Sequence, residues 1–376
     1  ISYSRSFPGS AGIRLSLTAN MSQNTQTQQV NLTLPTLTLN SNRFYPFEKK
    51  GKSKKGFFQN INIQYSSKAE NRAIFADDLL LKKGMFENAK SAVQHIIPFT
   101  TNFKMFKHFS VSAGGRYQET WTGKTISYSD YTEENSPVKD TLSGFDRFGT
   151  YNFNASVTTK IYGIVNFKPK NKVQSIRHTM TPSISYSNNP SFEKYYDTYE
   201  VVSADGLTTD EVQYTRFEQS LFGSPGKVYS SSVGLSLNNN LEAKVRDKDS
   251  TATEAKKIFL LNSLNFSTNY NVAGDSLNWS PIRVSGGTQL FDDKLSVNFG
   301  ATLDPYALDN NNSKINTFNI DNGGSLFRLS SANMTMSYNL SSDSFEDNGQ
   351  DATARDQSIR SGGRADATAT APIHMQ

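Results

Sequence analysis

Histidine is the residue type in this chain best suited to bind zinc or to act as a base near neutral pH, because cysteine is absent. Zinc centres are built mainly from Cys and His, and His is also the commonest general base. The four histidines of this 376-residue chain are far apart in sequence, at His95, His108, His178 and His374. A zinc centre or a histidine-based catalytic centre therefore has almost nothing to draw on.

Sequence motifs that carry catalysis are also missing from the chain. It contains no G-x-S-x-G, H-E-x-x-H or Walker loop. The segment 304–310 is rich in side-chain oxygens, which would suit Ca²⁺, but it lacks the spacing of an EF-hand. A turn built on Asp and Asn side chains is the better interpretation of that segment. We expect no enzyme activity, no metal and no cofactor.

A cluster of lysines is the strongest local concentration of charge. Lys49, Lys50, Lys52, Lys54 and Lys55 lie close together in a chain whose net charge is only +5. Such a cluster could contact lipid phosphates or a protein partner, whereas most lysine runs are solvated loops. We favour a solvated turn and expect no nucleic-acid partner.

The overall composition narrows the class of protein. Mean hydropathy is −0.55 and no window approaches 18 uninterrupted apolar residues, which excludes a helical membrane protein. Hydrophobic residues make up 36%, a low value for a globular domain, yet aromatic residues reach 12%. A disordered chain would not carry so many aromatic rings. The composition therefore predicts a fold that uses many rings and little aliphatic core.

Strict alternation of apolar and polar residues is the dominant pattern. In 264–272, Leu264 and Phe266 lie on one face of a predicted strand while Asn265 and Ser267 lie on the other. Apolar residues do not recur there at helical spacing. The same alternation predicts about thirteen strands, at 1–6, 13–21, 30–40, 57–67, 90–101, 107–121, 151–162, 176–187, 229–245, 258–272, 282–290, 295–303 and 330–341.

The chemistry of the polar faces favours an antiparallel transmembrane β-barrel over a soluble β-sandwich. Soluble sheets usually carry Lys, Glu and Arg on the wet face, whereas 258–272, 295–303 and 330–341 contain no charged residue. Their Ser, Asn and Thr side chains suit a hydrated lumen, and a tilted strand crosses hydrocarbon with ~9–11 residues. Rings near the segment ends match the aromatic girdles of such barrels: Phe57, Tyr65, Phe109, Trp121, Phe291 and Tyr306.

The connections between the predicted strands alternate in length. Short links at 103–106, 166–172 and 292–294 alternate with long polar ones, as periplasmic turns and external loops do in outer-membrane barrels. This parity places the lysine cluster on the periplasmic side. The long links are predicted at 123–148, 189–226 and 305–328.

The predicted number of strands indicates an incomplete barrel. Bacterial single-chain barrels have even strand numbers and no free edge. We therefore assign residues 1–341 to a segment of a larger outer-membrane barrel. The polar, low-complexity segment 342–376 is expected to be a disordered loop or tail.

Proline and glycine punctuate several predicted strands. Pro35, Pro98 and Pro182 each interrupt or border a strand and remove a donor from its ladder, so they are candidates for weakening a seam. The alternative interpretation places them at bulges or strand ends, and we prefer it. Gly114-Gly115 and Gly286-Gly287 are interpreted as bends or points of close packing.

One strand resembles a known family. Its residues Arg177-His178, Pro182 and Tyr186 are similar to the Arg-His…Pro…Tyr strand of the LptD (OstA) family, the lipopolysaccharide-assembly proteins of the outer membrane. Asp304, Pro305 and Tyr306 belong to a second similar phrase. These phrases and others at 22–25, 34–39, 44–47 and 327–333 resemble the Bacteroidetes version of the family and keep a consistent order.

The resemblance implies a function in lipopolysaccharide export. The expected protein is a non-enzymatic, integral barrel of the Gram-negative outer membrane that receives lipopolysaccharide from a periplasmic Lpt bridge and releases lipid A through a seam between its first and last strands. An LptE-like lipoprotein would plug the lumen. His178 is expected to be a structural or lumen-facing hydrogen bonder rather than a ligand.

This sequence departs from the family pattern in three ways, and other functions stay open. It has no cysteine, no N-terminal periplasmic domain and no evident terminal strands for a seam, so no gate residue is assigned. The alternative functions are another outer-membrane barrel (a porin, a TonB-dependent transporter or a translocon), or a secreted β-sandwich or adhesin domain. An enzyme housed in a barrel would need a nucleophile and base that the sequence does not provide.

Overall fold

The structure is a computed structural model. It describes residues 1–9, 12–49, 56–80, 82–87, 89–132, 136–168, 171–203, 206, 208–246, 256–291 and 294–339. Lys50, Lys52, Lys54 and Lys55 of the lysine cluster lie outside the described residues, as does the polar segment 342–376.

Nearly all regular structure in the described residues is β. The strands are β1 (Ser2–Phe7), β2 (Ile13–Asn24), β3 (Gln29–Ser41), β4 (Asn62–Ile63), β5 (Ser66–Ala76), β6 (Lys90–Met105), β7 (Phe109–Tyr128), β8 (Lys139–Thr158), β9 (Ile161–Asn166), β10 (Val173–Asn189), β11 (Tyr196–Val202), β12 (Thr209–Thr215), β13 (Ser230–Val245), β14 (Lys256–Asn271), β15 (Ile282–Leu290), β16 (Leu295–Asp304), β17 (Tyr306–Leu308), β18 (Lys314–Phe318) and β19 (Arg328–Tyr338). One short helix, α1 (Lys83–Glu87), and 3₁₀ turns at Phe58–Asn60, Asp77–Leu79 and Glu193–Tyr195 complete the described structure. No helix among the described residues has the length and apolarity needed to cross a membrane.

The strands form one 15-stranded antiparallel sheet with the connectivity of a meander. Thirteen strands follow one another in the order β1-β2-β3-β5-β6-β7-β8-β10-β13-β14-β15-β16-β19, while β4 and β9 pair alongside β6 and β10. The hairpins β11–β12 and β17–β18 form separate two-stranded sheets. The prediction of an all-β, antiparallel fold is confirmed.

Register divides the sheet into two chemically different faces. One cross-strand row joins Leu237, Phe266, Val284, Ala301 and Ala332, on five consecutive strands of the sheet. The row directly beside it, on the opposite face, joins Asn238, Asn265, Ser285, Gly300 and Asn333. Because side chains alternate along a strand, this register separates the apolar side chains of one row from the hydroxyl and amide side chains of the other.

The two faces continue across the other half of the sheet. A second apolar row runs through Phe103, Val111, Val157, Ile184 and Leu235, from β6 to β13. We call the side that carries these two rows the apolar face, and the opposite side the polar face. The alternation seen in the sequence is therefore a property of the whole sheet.

The apolar face is exposed rather than packed. Ile184 is 57% exposed, Met334 67% and Leu329 60%. One packed cluster of buried apolar residues forms where Met85 of α1 covers Val30, Ala73 and Phe75. Within the described residues no large second sheet covers the apolar rows, and the short hairpin β17–β18 reaches them at Leu235. The rows therefore do not form the dry centre that a β-sandwich requires.

The three prolines of interest lie at interruptions of the ladder. Pro35 falls in the register shift between Thr33 and Thr36, where β3 carries an extra residue. Pro98 directs its carbonyl to Gln64, at the break between β4 and β5, and Pro182 directs its carbonyl to Thr159, at the break between β8 and β9. A proline cannot donate to the neighbouring strand, which explains why continuous pairing fails at these places.

Several predicted boundaries are wrong. The predicted strand 57–67 begins with a 3₁₀ turn and its main strand is β5, further along the chain. Most of the predicted loop 123–148 belongs to β7 and β8, and the predicted loop 189–226 contains the hairpin β11–β12. Beyond the apolar rows, both faces of β7 and β8 carry charged and polar residues. The sequence there has no apolar alternation, so it was interpreted as a loop.

Glycine at position 115 is required by close packing between strands. A Cβ at Gly115 would lie 2.7 Å from the Phe99 ring and still closer to the carbonyl oxygen of Asn152. We expect Gly115→Ala to lower the free energy of unfolding by about 1–3 kcal/mol, because the backbone of β8 would have to shift. The temperature at which the protein changes its mobility in detergent gels reports this loss of stability. At Gly163, where a Cβ meets nothing within 4 Å, alanine should leave stability unchanged; an equal loss at both positions would contradict the explanation.

Candidate functional site on the polar face

The polar face carries an excess of cationic side chains among its hydroxyl and amide groups. By register and alternation, the charged positions of this face in the paired strands are mostly cations. The cations are Arg14, Lys68, Arg72, Lys90, Lys104, Arg116, Lys124, Lys139, Arg177, Lys244, Lys257, Arg283 and Arg328, and the carboxylates are Glu70, Asp146, Glu242 and Asp304. A surface of this composition attracts anions.

The carboxylates of the polar face are already paired. Glu70, only 5% exposed, lies 2.5 Å from Lys68 and 2.6 Å from Arg72. Lys90 lies directly opposite Arg72 in the register, so cations of adjacent strands face one another there. Asp146 and Glu242 are paired in the same way with Arg216 and Arg177. The described strands therefore supply no further carboxylates to neutralise the remaining cations of this face.

The segment between β10 and β13 lies over part of the polar face. We call residues 190–229 the covering segment. Its Phe217 is fully buried, with its ring 4.7 Å from that of Phe148 and 5.7 Å from that of Tyr195. Thr120 on the polar face of β7 is fully buried as well. Alternation alone would predict that the Thr120 hydroxyl faces water, but in the structure it lies beneath packed aromatic rings.

Ion pairs hold the covering segment on both sides of Phe217. Arg216 Nε donates to Asp146 of β8 at 2.7 Å, and Lys139 Nζ donates to Glu218 at 2.9 Å. The hydrogen bond to the Glu218 carboxylate raises the pKa of Lys139. Further along the segment, the Phe222 ring lies 5.2 Å from Lys68 Nζ on β5. The covering segment therefore reaches from β8 to β5 across the polar face.

The residues that resemble the family strand are divided between the two faces. Arg177 lies on the polar face and contacts Glu242 at 2.5 Å, whereas His178 lies on the apolar face, 3.1 Å from the Asn239 side chain. Tyr186 also lies on the apolar face and accepts a hydrogen bond from Ser231. His178 is thus a structural hydrogen bonder that does not point to the polar face.

A polar network on the apolar face was missed by the sequence analysis. Glu119 accepts hydrogen bonds from Tyr117 (2.6 Å), Trp121 (2.7 Å) and Arg147 (2.9 Å). Next to it, the His95 ring lies 4.4 Å from that of Trp121. Glu119 lies at an apolar-face position of β7, where the sequence pattern does not predict a carboxylate. Its three hydrogen-bond donors explain why a carboxylate is tolerated there.

Asp304 anchors the loop that follows β16. It is 1% exposed, accepts from the backbone N–H of Tyr306, and pairs with Lys314 at 2.6 Å and Arg328 at 3.4 Å. Pro305 is buried beside it. The second family-like phrase therefore folds a loop back onto the sheet. Within the described residues, no group of three or more His, Asp or Glu side chains is arranged to hold a metal ion.

We expect Asp304→Asn to loosen this loop. The amide cannot pair with both cations, and the partial exposure of Lys314 and Arg328 limits the loss of stability to about 1–2 kcal/mol. Limited proteolysis should detect faster cleavage within 305–327. Asp321→Asn, at an exposed position of the same loop, is the matched control and should leave the cleavage rate unchanged. Equal rates in both variants would show that the ion pairs do not hold the loop.

Comparisons with known proteins point in one direction. A family model described as LptD protein matches residues 1–306 of the chain. No curated protein and no solved structure matches the chain.

Proposed function

The chain belongs to the LptD protein family, and we propose that it is a barrel of the Gram-negative outer membrane that delivers lipopolysaccharide to the cell surface. The family has a role in lipopolysaccharide transport, and its members are transport components rather than enzymes. The delivery step proposed here makes and breaks no covalent bond.

The exposed apolar face is the observation that carries this proposal. From Phe109 to Glu119, β7 rises roughly 34 Å along its length, which corresponds to roughly 26 Å of thickness at a tilt of about 40°. That height equals the apolar band of outer-membrane barrels, about 25 Å. Phe103 and Phe109 lie at one limit of the band, while Tyr117 and Trp121 lie at the other. These rings correspond to the two girdles of the proposed membrane-spanning region.

The polar face supports a route for the anionic head of lipopolysaccharide. Its hydroxyl and amide groups can replace hydrogen bonds to water, and its surplus cations, such as Arg116 and Arg283, can contact phosphates. Acyl chains need a separate apolar route between strands. The ladder interruptions at Pro35, Pro98 and Pro182 are candidate weak points for such an opening.

The remaining assignments follow from the family as proposals. The partners would be a periplasmic Lpt bridge and an LptE-like lipoprotein in the lumen, with Bacteroidetes as the source. The loop ends of the strands, including the covering segment, would lie outside the cell. Lys49 and its neighbouring lysines would lie on the periplasmic side, where lipid phosphates or the bridge are within reach.

Depletion of the protein tests the proposed function. Surface lipopolysaccharide should fall and the molecule should accumulate on the periplasmic side. Unchanged surface lipopolysaccharide together with reduced uptake of a solute would instead favour a porin or a TonB-dependent transporter.

Complementation of the depleted cells tests the role of the polar face. A double Arg116→Gln, Arg283→Gln variant should restore less surface lipopolysaccharide than the wild type, because two phosphate contacts are lost. Arg5→Gln, which removes a cation from the apolar face of β1, is the matched control and should restore it fully. Equal restoration by both variants would exclude these cations from the substrate route.

A further inference from the structure

A cavity of about 410 Å³ opens on the apolar face at the loop end of β13, β14 and β15. The strands contribute Leu235, Thr268 and Ile282, whose side chains lie on the apolar face. The other side of the cavity is formed by the loop after β16. Trp279 and Ser280, between β14 and β15, complete the lining together with Pro305, Phe318, Ile320, Leu326 and Phe327 of that loop.

The loop is held over the strands by specific contacts. The Tyr306 ring stacks on Phe318 at 5.4 Å, and the Tyr306 hydroxyl accepts a hydrogen bond from the backbone N–H of Trp279 at 3.0 Å. Asp304 fixes the start and end of the loop through Lys314 and Arg328. The cavity is therefore a built feature of the fold, because three separate elements are tied together around it.

The chemistry of the lining selects the occupant. Apart from Thr268 and Ser280, the lining side chains are aliphatic or aromatic, and the Thr268 hydroxyl already donates to the Ser280 carbonyl. Few groups therefore remain that could hold a water molecule. Its volume falls within the range of small-molecule pockets, about 300–1,000 Å³. The cavity is continuous with the apolar row that contains Ile184 and Leu235, which the proposed function places against bilayer lipid.

We propose that this cavity binds one acyl chain of a lipid of the surrounding bilayer. The chain enters from the lipid side along the apolar face and packs against the Trp279 indole, while the lipid head stays at the membrane boundary. This inference rests on the proposed membrane position of the apolar face. It assigns a resident lipid site to the loop end of β13, β14 and β15, far from the edge strand β1.

Tryptophan fluorescence tests the site, because the chain has only two Trp residues, Trp121 and Trp279. Trp121→Phe leaves Trp279 as the sole reporter in the cavity, and Trp279→Phe leaves Trp121 as the reporter on the open apolar face. Each variant of the full chain is placed in phosphatidylcholine vesicles with or without bromine on the acyl chains. Both reporters should be quenched by the brominated lipid.

A variant that fills the cavity distinguishes lipid bound inside it from general contact with the bilayer. Leu235→Phe, added to the Trp121→Phe variant, should abolish most of the quenching of Trp279. Leu237→Phe, at the next outward position of β13 and outside the lining, should not. Unquenched Trp279 beside quenched Trp121, or quenching that Leu235→Phe leaves intact, overturns the lipid site but keeps the membrane assignment. Absence of quenching at both reporters overturns the membrane assignment itself.

Discussion

Val284→Arg should destabilise the protein in membranes by about 2–4 kcal/mol. Val284 lies near the middle of an apolar row, between Phe266 of β14 and Ala301 of β16. If that row faces hydrocarbon, a guanidinium at this depth loses its hydration and has no partner to replace it. Urea-dependent unfolding of the protein in vesicles gives the change in free energy.

Ser285→Arg is the matched control for this variant. Ser285 is the adjacent residue of the same strand, on the polar face beside Asn265 and Gly300. In a hydrated lumen the new arginine stays solvated, so the free energy of unfolding should change little. Similar losses for both variants, or a larger loss at Ser285, would contradict the assignment of the two faces.

Phe217→Ala should release the covering segment from the polar face. The ring is fully buried between Phe148 and Tyr195, and removing a phenylalanine from such a site typically costs about 3–5 kcal/mol. The ion pair between Arg216 and Asp146 beside it has both side chains partly exposed. It therefore contributes too little to hold the segment in place once the ring is lost. We expect faster amide hydrogen exchange in 190–229 and a higher ion conductance in planar bilayers.

Phe86→Ala provides the control for the loss of a phenylalanine. Phe86 is 66% exposed on α1, so its removal leaves no cavity and should change neither exchange nor conductance. If the Phe217 variant behaves like the Phe86 variant, the covering segment is not held on the polar face by this ring.

The sheet could be predicted from the sequence because each strand repeats the same physical signal. In 264–272, apolar and uncharged polar residues alternate with the one exception of Thr268, and the register then brings Phe266 beside Leu237 and Val284. A slip by one residue would exchange the two faces, so the pattern fixes pairing as well as strand identity. The order of strands follows since each one pairs with the next in a meander.

The candidate site was predicted only in its general character. Hydroxyl and amide groups on the polar face were evident from alternation, but the burial of Thr120 was not. Thr120 lies opposite Phe148, whose ring packs on Phe217, almost seventy positions further along the chain. Loop sequence carries no periodicity that could place such a segment. Glu119 was missed for the same reason, because its three donors come together only through register with Arg147 and local geometry.

Spin-label accessibility at four consecutive positions of β14 tests the central claim most directly. The chain has no native cysteine, so Leu264→Cys, Asn265→Cys, Phe266→Cys and Ser267→Cys can each carry one nitroxide. In membranes, labels at 264 and 266 should collide freely with oxygen, which dissolves in hydrocarbon, while labels at 265 and 267 should collide with a water-soluble nickel chelate. Labels at 264 and 266 that neither reagent reaches would place those side chains in a dry protein core and contradict the account.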